Sequence, residues 1–260
     1  SSCDVSKYLI KHLTKESKTM GALANLTTDE SIKGSKDVVG GGYAPKPSGV
    51  YDATIKAAYL TKSAGGATAV NLIAVIGDSE YRETVYITNK QGQNFYLDKN
   101  DGSKNYLPGF NTINDIALLA AQRELSQLDT ERKVLNLWNA EQSKEVPTEV
   151  ECITAMHGKP IKLGILEEIT FKQAKNGNGV YVDTAETRST NVISKVFHPA
   201  NSKTVNECRA KAETADFINK WKAKWDGKPN DKTAGKAPKT SSGTTTAPVA
   251  NKAATASLFN

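Results

Sequence analysis

Apolar and polar positions change their period several times along the chain. Val5, Leu9, His12 and Leu13 recur at helical spacing behind Asp4, a residue suited to an N-cap, and predict a short amphipathic helix over residues 4–18. The segment GGGYAPKPSG (40–49) denies any regular element and reads as a linker. From Gly49 the period becomes two. Residues 50–62 read as a strand, 62–66 as its turn, 67–76 as a second strand, and 81–88 as a third after Gly77-Asp78. Three such strands in succession predict an antiparallel meander.

A long polar loop (89–110) closes with Pro108-Gly109, and Asn111 or Thr112 is placed to cap a helix carrying Ile113, Ile116, Leu119, Ala120 and Leu125. Residues 159–172 and 180–197 read as two further strands about the turn KNGNG (175–179), whereas 133–139 and 149–153 are ambiguous. Three strands, a helix and two more strands is the order of an OB-fold, so the expected class is mainly β with helices, built on a five-stranded antiparallel barrel. Thr204 and Glu207 have capping-box spacing ahead of one helix running to about Trp225, with Val205, Cys208, Ala212, Ala215, Ile218, Trp221 and Trp225 on one face. From Asp226 the chain turns to Lys, Thr, Ser, Ala, Pro and Gly, too poor in apolar surface to order itself. The expected organisation is a helical N-terminal arm (1–48), an OB-type domain with a C-terminal helix (49–225) and a disordered basic tail (226–260). Leu258 and Phe259 end that tail as an apolar pair suited to docking on a partner protein.

Composition adds modest constraints. Lys and Arg number 34 against 28 Asp and Glu, a formal net charge of +6, which favours a polyanionic partner only weakly because the lysines are spread out. Cys3, Cys152 and Cys208 form no ligand-spaced set and no even framework, which points to a reducing, intracellular setting and away from zinc. No leader-like or membrane-length apolar run stands out.

The third predicted strand carries the first candidate chemistry. Tyr81, Glu83, Val85 and Ile87 share one parity; Arg82, Thr84, Tyr86 and Thr88 share the other. A cation, hydroxyls and a flat ring suit a single-strand platform, since bases stack on aromatics and arginine neutralises phosphate. The first strand adds Lys56 and Lys62, and the second is broken by Asn71. An ordinary solvated strand face with one exposed tyrosine has the same pattern. In the loop that follows, Lys90, Phe95, Tyr96, Lys99, Lys104 and Tyr106 are interleaved among Gly, Asn and Gln. Either they form a base-stacking arm, or at least two of Phe95, Tyr106, Leu107 and Phe110 fold back as an apolar lid.

Other constellations fail. DKNDG (98–102) brings its glycine one place early for a calcium loop, and GGGYAPKPSG leads into a strand and lacks the Gly-Lys-Ser/Thr ending of a phosphate loop. His157 and His198 have no nucleophile in register, and Glu167 and Glu168 alternate across a strand. No catalytic residue, metal ligand set or cofactor motif is indicated, and Trp221 and Trp225 suit packing on the barrel better than base stacking.

The stretch GVYDATIKAAYLTKSAGGATAVNLIAVIGDSEYRETVYIT, then NFYLDKNDGSKNYLPGFN, KLGILEEITF, ISKVF and FINKWKAKWDG, resembles the single-stranded DNA-binding proteins of virulent tailed phages of the Schitoviridae type. The resemblance spans about 45–227, and YLPGFN is its most specific block. It implies an OB-fold that coats single-stranded DNA in phage replication and recombination, in the cytoplasm of the infected bacterium. It also implies replication or recombination proteins as partners and, in part of the family, assistance to host RNA polymerase at late promoters. Tyr96, Lys99 and Tyr106 fall at positions that the family pattern puts near DNA. Bacterial relatives end in an acidic tail with a proline-phenylalanine terminus; this tail is basic and ends Leu258-Phe259-Asn260. The competing class is an interaction protein that uses the barrel as a scaffold.

Overall fold

A computed structural model describes residues 44–139 and 141–239; the expected N-terminal helix and Leu258-Phe259 lie outside the described residues. The meander forms as the alternation dictates: β1 (Gly49–Lys62), β2 (Thr68–Ile76) and β3 (Ser79–Tyr86) pair antiparallel in that order. In β1, Ala53 and Ile55 enter the core, a bulge follows at Ile55/Ala57, and Ala58 then takes up the inward parity. Val70, Leu72, Ala74 and Ile76 of β2 complete the inner face.

The polar loop contains a two-stranded hairpin, β4 (Phe95–Leu97) and β5 (Lys104–Tyr106). Helix α1 (Pro108–Ala121) starts earlier than the expected Asn111 or Thr112 cap. Pro108 occupies the first turn, where its missing N–H is not needed, and Thr112 Oγ1 instead donates to Pro108 O at 3.1 Å. Ile113 and Ile116 are fully buried, and each contributes about 1.5–3 kcal/mol by leaving water.

The two ambiguous segments form one hairpin, β6 (Glu131–Asn139) with β7 (Lys144–Cys152). The long strands β8 (Pro160–Lys175) and β9 (Tyr181–Phe197) follow as expected. The first half of β1 pairs with β8, while near its end Tyr59 and Leu60 pair with Cys152 and Glu151 of β7.

The fold is mainly β, but the main sheet differs from the expected five-stranded barrel: it has eight strands and its ladder is not closed. Among the described residues, no ladder joins β3 to β9. Side chains span that seam instead. Glu83 Oε2 accepts from the Ile193 N–H at 2.8 Å and from the Tyr81 hydroxyl at 2.6 Å. Beside it, the Asn191 side chain accepts from Lys46 N at 2.7 Å and donates to Lys46 O at 2.8 Å. Lys46 Nζ donates in turn to Ser79 Oγ at 2.9 Å.

The expected single C-terminal helix is two, α2 (Val205–Arg209) and α3 (Asp216–Trp225), broken near Lys211 at φ +51°. The Thr204–Glu207 capping box forms, and Glu207 also accepts from Phe217 N at 2.8 Å, tying the two helices together. Trp221 and Ile218 of α3 pack with Leu166 and Phe197 in a second core. Gly164 makes room there, since a Cβ on it would lie 3.3 Å from the Trp221 ring.

Residues 226–239 hold little regular structure, but they stay in contact with the sheet. Residues 226–239 lie along β8 and β9: β10 (Asn230–Asp231) pairs parallel with Glu168 and Ile169, and Asp183 exchanges hydrogen bonds with Lys239. The ordering comes from polar contacts, which composition does not register. Glu168 receives Asn230 Nδ2 at 3.1 Å and Lys232 Nζ at 2.6 Å.

Candidate nucleic-acid interface

The outer face of β1–β3 is set by register. Tyr59 is opposite Asn71, and Asn71 is opposite Thr84; on the other side of β1, Tyr59 is opposite Cys152. One row therefore crosses four strands as Cys152, Tyr59, Asn71 and Thr84. The next row toward the end of β1 is Thr61, Ala69 and Tyr86, and the row before it is Ala57, Ile73 and Arg82. Tyr86 is 44% exposed although Ala69 beside it is buried, so its ring stands above a small neighbour.

Polar contacts fix this surface. Asn71 Nδ2 donates to Thr61 Oγ1 at 2.8 Å and Asn71 Oδ1 accepts from Thr84 Oγ1 at 2.7 Å. Between Tyr59, Asn71, Ile73, Arg82 and Thr84 lies an open depression of about 180 Å³. Burial pushes the Tyr59 phenol above its ordinary pKa, against the opposite pull of the Arg82 guanidinium.

The expected site residues fall into three groups. Arg82 and Lys56 converge on Glu80: Lys56 Nζ is ion-paired with it, and Arg82 Nη2 reaches it at 2.7 Å. That double pairing, Lys56 first and Arg82 second, holds the Glu80 carboxyl below its ordinary pKa. A second group gathers at the opposite end of the face. Lys62 is opposite Thr68, one position from the Ala69–Tyr86 pair, and Lys90 lies across the β1–β2 turn, where a Cβ on Gly65 would meet its stem at 3.3 Å. Lys62, Tyr86 and Lys90 are all exposed.

The third group is the β4–β5 hairpin, which carries Tyr96, Lys104 and Tyr106, with Lys99 in its turn. Phe95 is opposite Tyr106 and Tyr96 is opposite Asn105, so the two tyrosines occupy opposite faces of the ribbon and share no stacking platform. Tyr106 rests against Phe110 with ring centroids 4.9 Å apart, and Lys104 Nζ stands 4.9 Å from the Phe95 centroid. Three of the four lid candidates are partly sheltered. Phe95, Leu107 and Phe110 are half-buried, Tyr106 is exposed, and none of the four joins a buried core cluster.

No protein-family model, curated protein or solved structure matches the chain. Among the described residues, no helix is long and apolar enough to cross a membrane.

Sequence reasoning missed Tyr59 and the β6–β7 ribbon. On β1 the parity of Asp52, Thr54 and Lys56 assigns odd positions inward, and the bulge at Ile55/Ala57 reverses that assignment for Tyr59. The ribbon had a usable signal, because Val134, Asn136 and Trp138 alternate with Leu135 and Leu137, but both parities hold apolar residues. His157 is structural: its Nε2 accepts from Ala58 N at 3.1 Å.

Proposed function

We propose that the chain binds single-stranded DNA without sequence preference on the outer face of β1–β3, as an OB-type protein of phage replication and recombination. The observation that carries this reading is the gathering of half-buried Tyr59 with exposed Tyr86 and Arg82 on the outer sheet face, among the hydroxyl and amide groups of Thr61, Asn71 and Thr84. Rings on a sheet accept the π-face of any base, for about 1–3 kcal/mol each, while the amide and hydroxyls offer polar contacts that are not base-selective. Lys62 and Lys90 beside Tyr86 supply positive charge for the backbone where it leaves the rings.

The OB-type assignment is supported by the position of α1 between the meander and β8, and by the Glu83 and Lys46 contacts that draw β3 toward β9. The phage setting, replication and recombination partners and any contact with host RNA polymerase rest on the sequence resemblance. The test is a fluorescence titration with single- and double-stranded oligonucleotides at two salt concentrations. Tight, salt-sensitive binding of oligothymidine with little affinity for duplex is the expected result; indifference to DNA and salt overturns the reading.

A further inference from the structure

The outer face does not stop at β1. Because Tyr59 and Cys152 are register partners, the side of β7 that carries Cys152 continues the face that carries Tyr59. Cys152 is opposite Glu131 on β6, and two residues further out Val150 is opposite Lys133. The same side then carries Leu135 opposite Thr148 and Leu137 opposite Val146. β7 pairs with β1 only at Tyr59 and Leu60, so the rest of the ribbon departs beyond the end of β1, where Lys62, Lys90 and Tyr86 stand.

The two sides of the ribbon differ in shelter. Leu135, Leu137, Val146 and Thr148 are half-buried, while Val134 and Trp138 on the other side are 63% and 62% exposed and lie opposite Glu149 and Glu145. Carboxylates repel a phosphate chain, so the side of Trp138 is the wrong one for nucleic acid. Its opposite is apolar, with Lys133 as the cation at its base and Glu131 3.5 Å from that ammonium.

We infer that the Leu135–Leu137–Val146 side of the β6–β7 ribbon is a second nucleobase-binding wall, which prolongs the β1–β3 platform and takes the bases of a strand that runs past Tyr86. The inference rests on the single-strand reading above and adds to it a second set of contacts. Apolar side chains accept any base without selecting it, as a sequence-indifferent binder requires. A strand too short to pass Tyr86 occupies the sheet alone and does not meet the wall.

The experiment compares oligothymidines of about 4 and about 16 nucleotides, the range of site sizes found for one such domain, on the full chain. Leu135→Ser with Leu137→Ser is expected to weaken the long oligonucleotide about tenfold and leave the short one unchanged, one lost base contact's worth of affinity. Val134→Ser with Trp138→Ser, on the other side of the same strand, controls for simple disruption of the ribbon and is expected to change neither. Equal weakening by both pairs, or no weakening by the first, overturns the wall. In the second case, loss of binding in Tyr59→Ala and Tyr86→Ala leaves the sheet platform standing. If the unmodified protein binds neither length, the single-strand reading fails and the wall falls with it.

Discussion

Gly109 passes so close to Tyr86 that a Cβ built on it would lie 2.1 Å from the Tyr86 carbonyl oxygen. That oxygen belongs to backbone and cannot swing aside, so the first turn of α1 and the last residue of β3 approach closely only because position 109 has no side chain. Gly109→Ala is therefore expected to push the helix start and the strand end apart, at about 1–3 kcal/mol of overpacking. Because the shift falls at Tyr86, oligothymidine affinity should drop with the melting temperature. A variant of native stability and affinity would show that the contact relaxes freely.

Glu80 holds two cations at one end of the sheet face, Lys56 and Arg82. The pairs are open to solvent and add little stability, but on the single-strand reading they withhold positive charge from a bound phosphate. Glu80→Gln should tighten single-strand binding and steepen its salt dependence by up to about two counterions, one for each cation released. Arg82→Ala should do the reverse while leaving the melting curve in place. Salt titrations of the two variants, read as slopes, check both signs.

The meander, the helix after Pro108-Gly109 and the two long strands were legible because each buries one clean face, and a period of two or 3.6 is the direct trace of that. Tyr59 was not legible, because a single bulge between Ile55 and Ala57 inverts parity and leaves no mark in composition. The β6–β7 ribbon was obscured for a different reason: both of its parities carry apolar residues, Leu135 and Leu137 on one side and Val134 and Trp138 on the other. The outward parity of Arg82, Thr84 and Tyr86 was legible from the alternation of strand three alone. Tyr96 and Tyr106 show the limit of counting aromatics in a loop, since their separation onto two faces depends on a pairing that only the fold supplies.

Residues 226–239 make a prediction about boundaries. A chain ending at 225 leaves Glu168 without Asn230 and Lys232, and it exposes the β8 edge that β10 covers. Losing the hydrogen bonds that Asn230 and Lys232 give Glu168, together with the β10 pairing, should destabilise the fold by about 1–3 kcal/mol, because a net hydrogen bond contributes about 0.5–1.5 kcal/mol and one to a charged group somewhat more. A chain ending at 239 keeps these contacts and should melt above the chain ending at 225. Equal melting temperatures for the two truncations would show that the β10 contacts contribute nothing in solution.

Glu83 makes the seam between β3 and β9 sensitive to pH. Its carboxylate sits in the seam between β3 and β9, where burial is the largest influence and raises its pKa above the ordinary 4.5, and hydrogen bonds from Tyr81 and Ile193 oppose that rise. A carboxyl whose folded pKa is raised binds its proton more tightly in the folded than in the unfolded chain. Its favourable contribution is therefore complete below pH 4.5 and is lost as the pH climbs through the raised value. Glu83→Gln keeps an oxygen to accept from Ile193 N and carries no charge to desolvate, so it should melt higher than the parent at neutral pH, with the gap closing toward about pH 4. Glu83→Ala leaves the Ile193 N–H short of an acceptor and should lose about 1–3 kcal/mol near pH 4, and less at neutral pH, where the parent has itself lost the Glu83 contribution. Melting temperatures of the three proteins across that range decide the matter: a gap between Gln and parent that stays constant with pH would mean that Glu83 does not titrate in the seam.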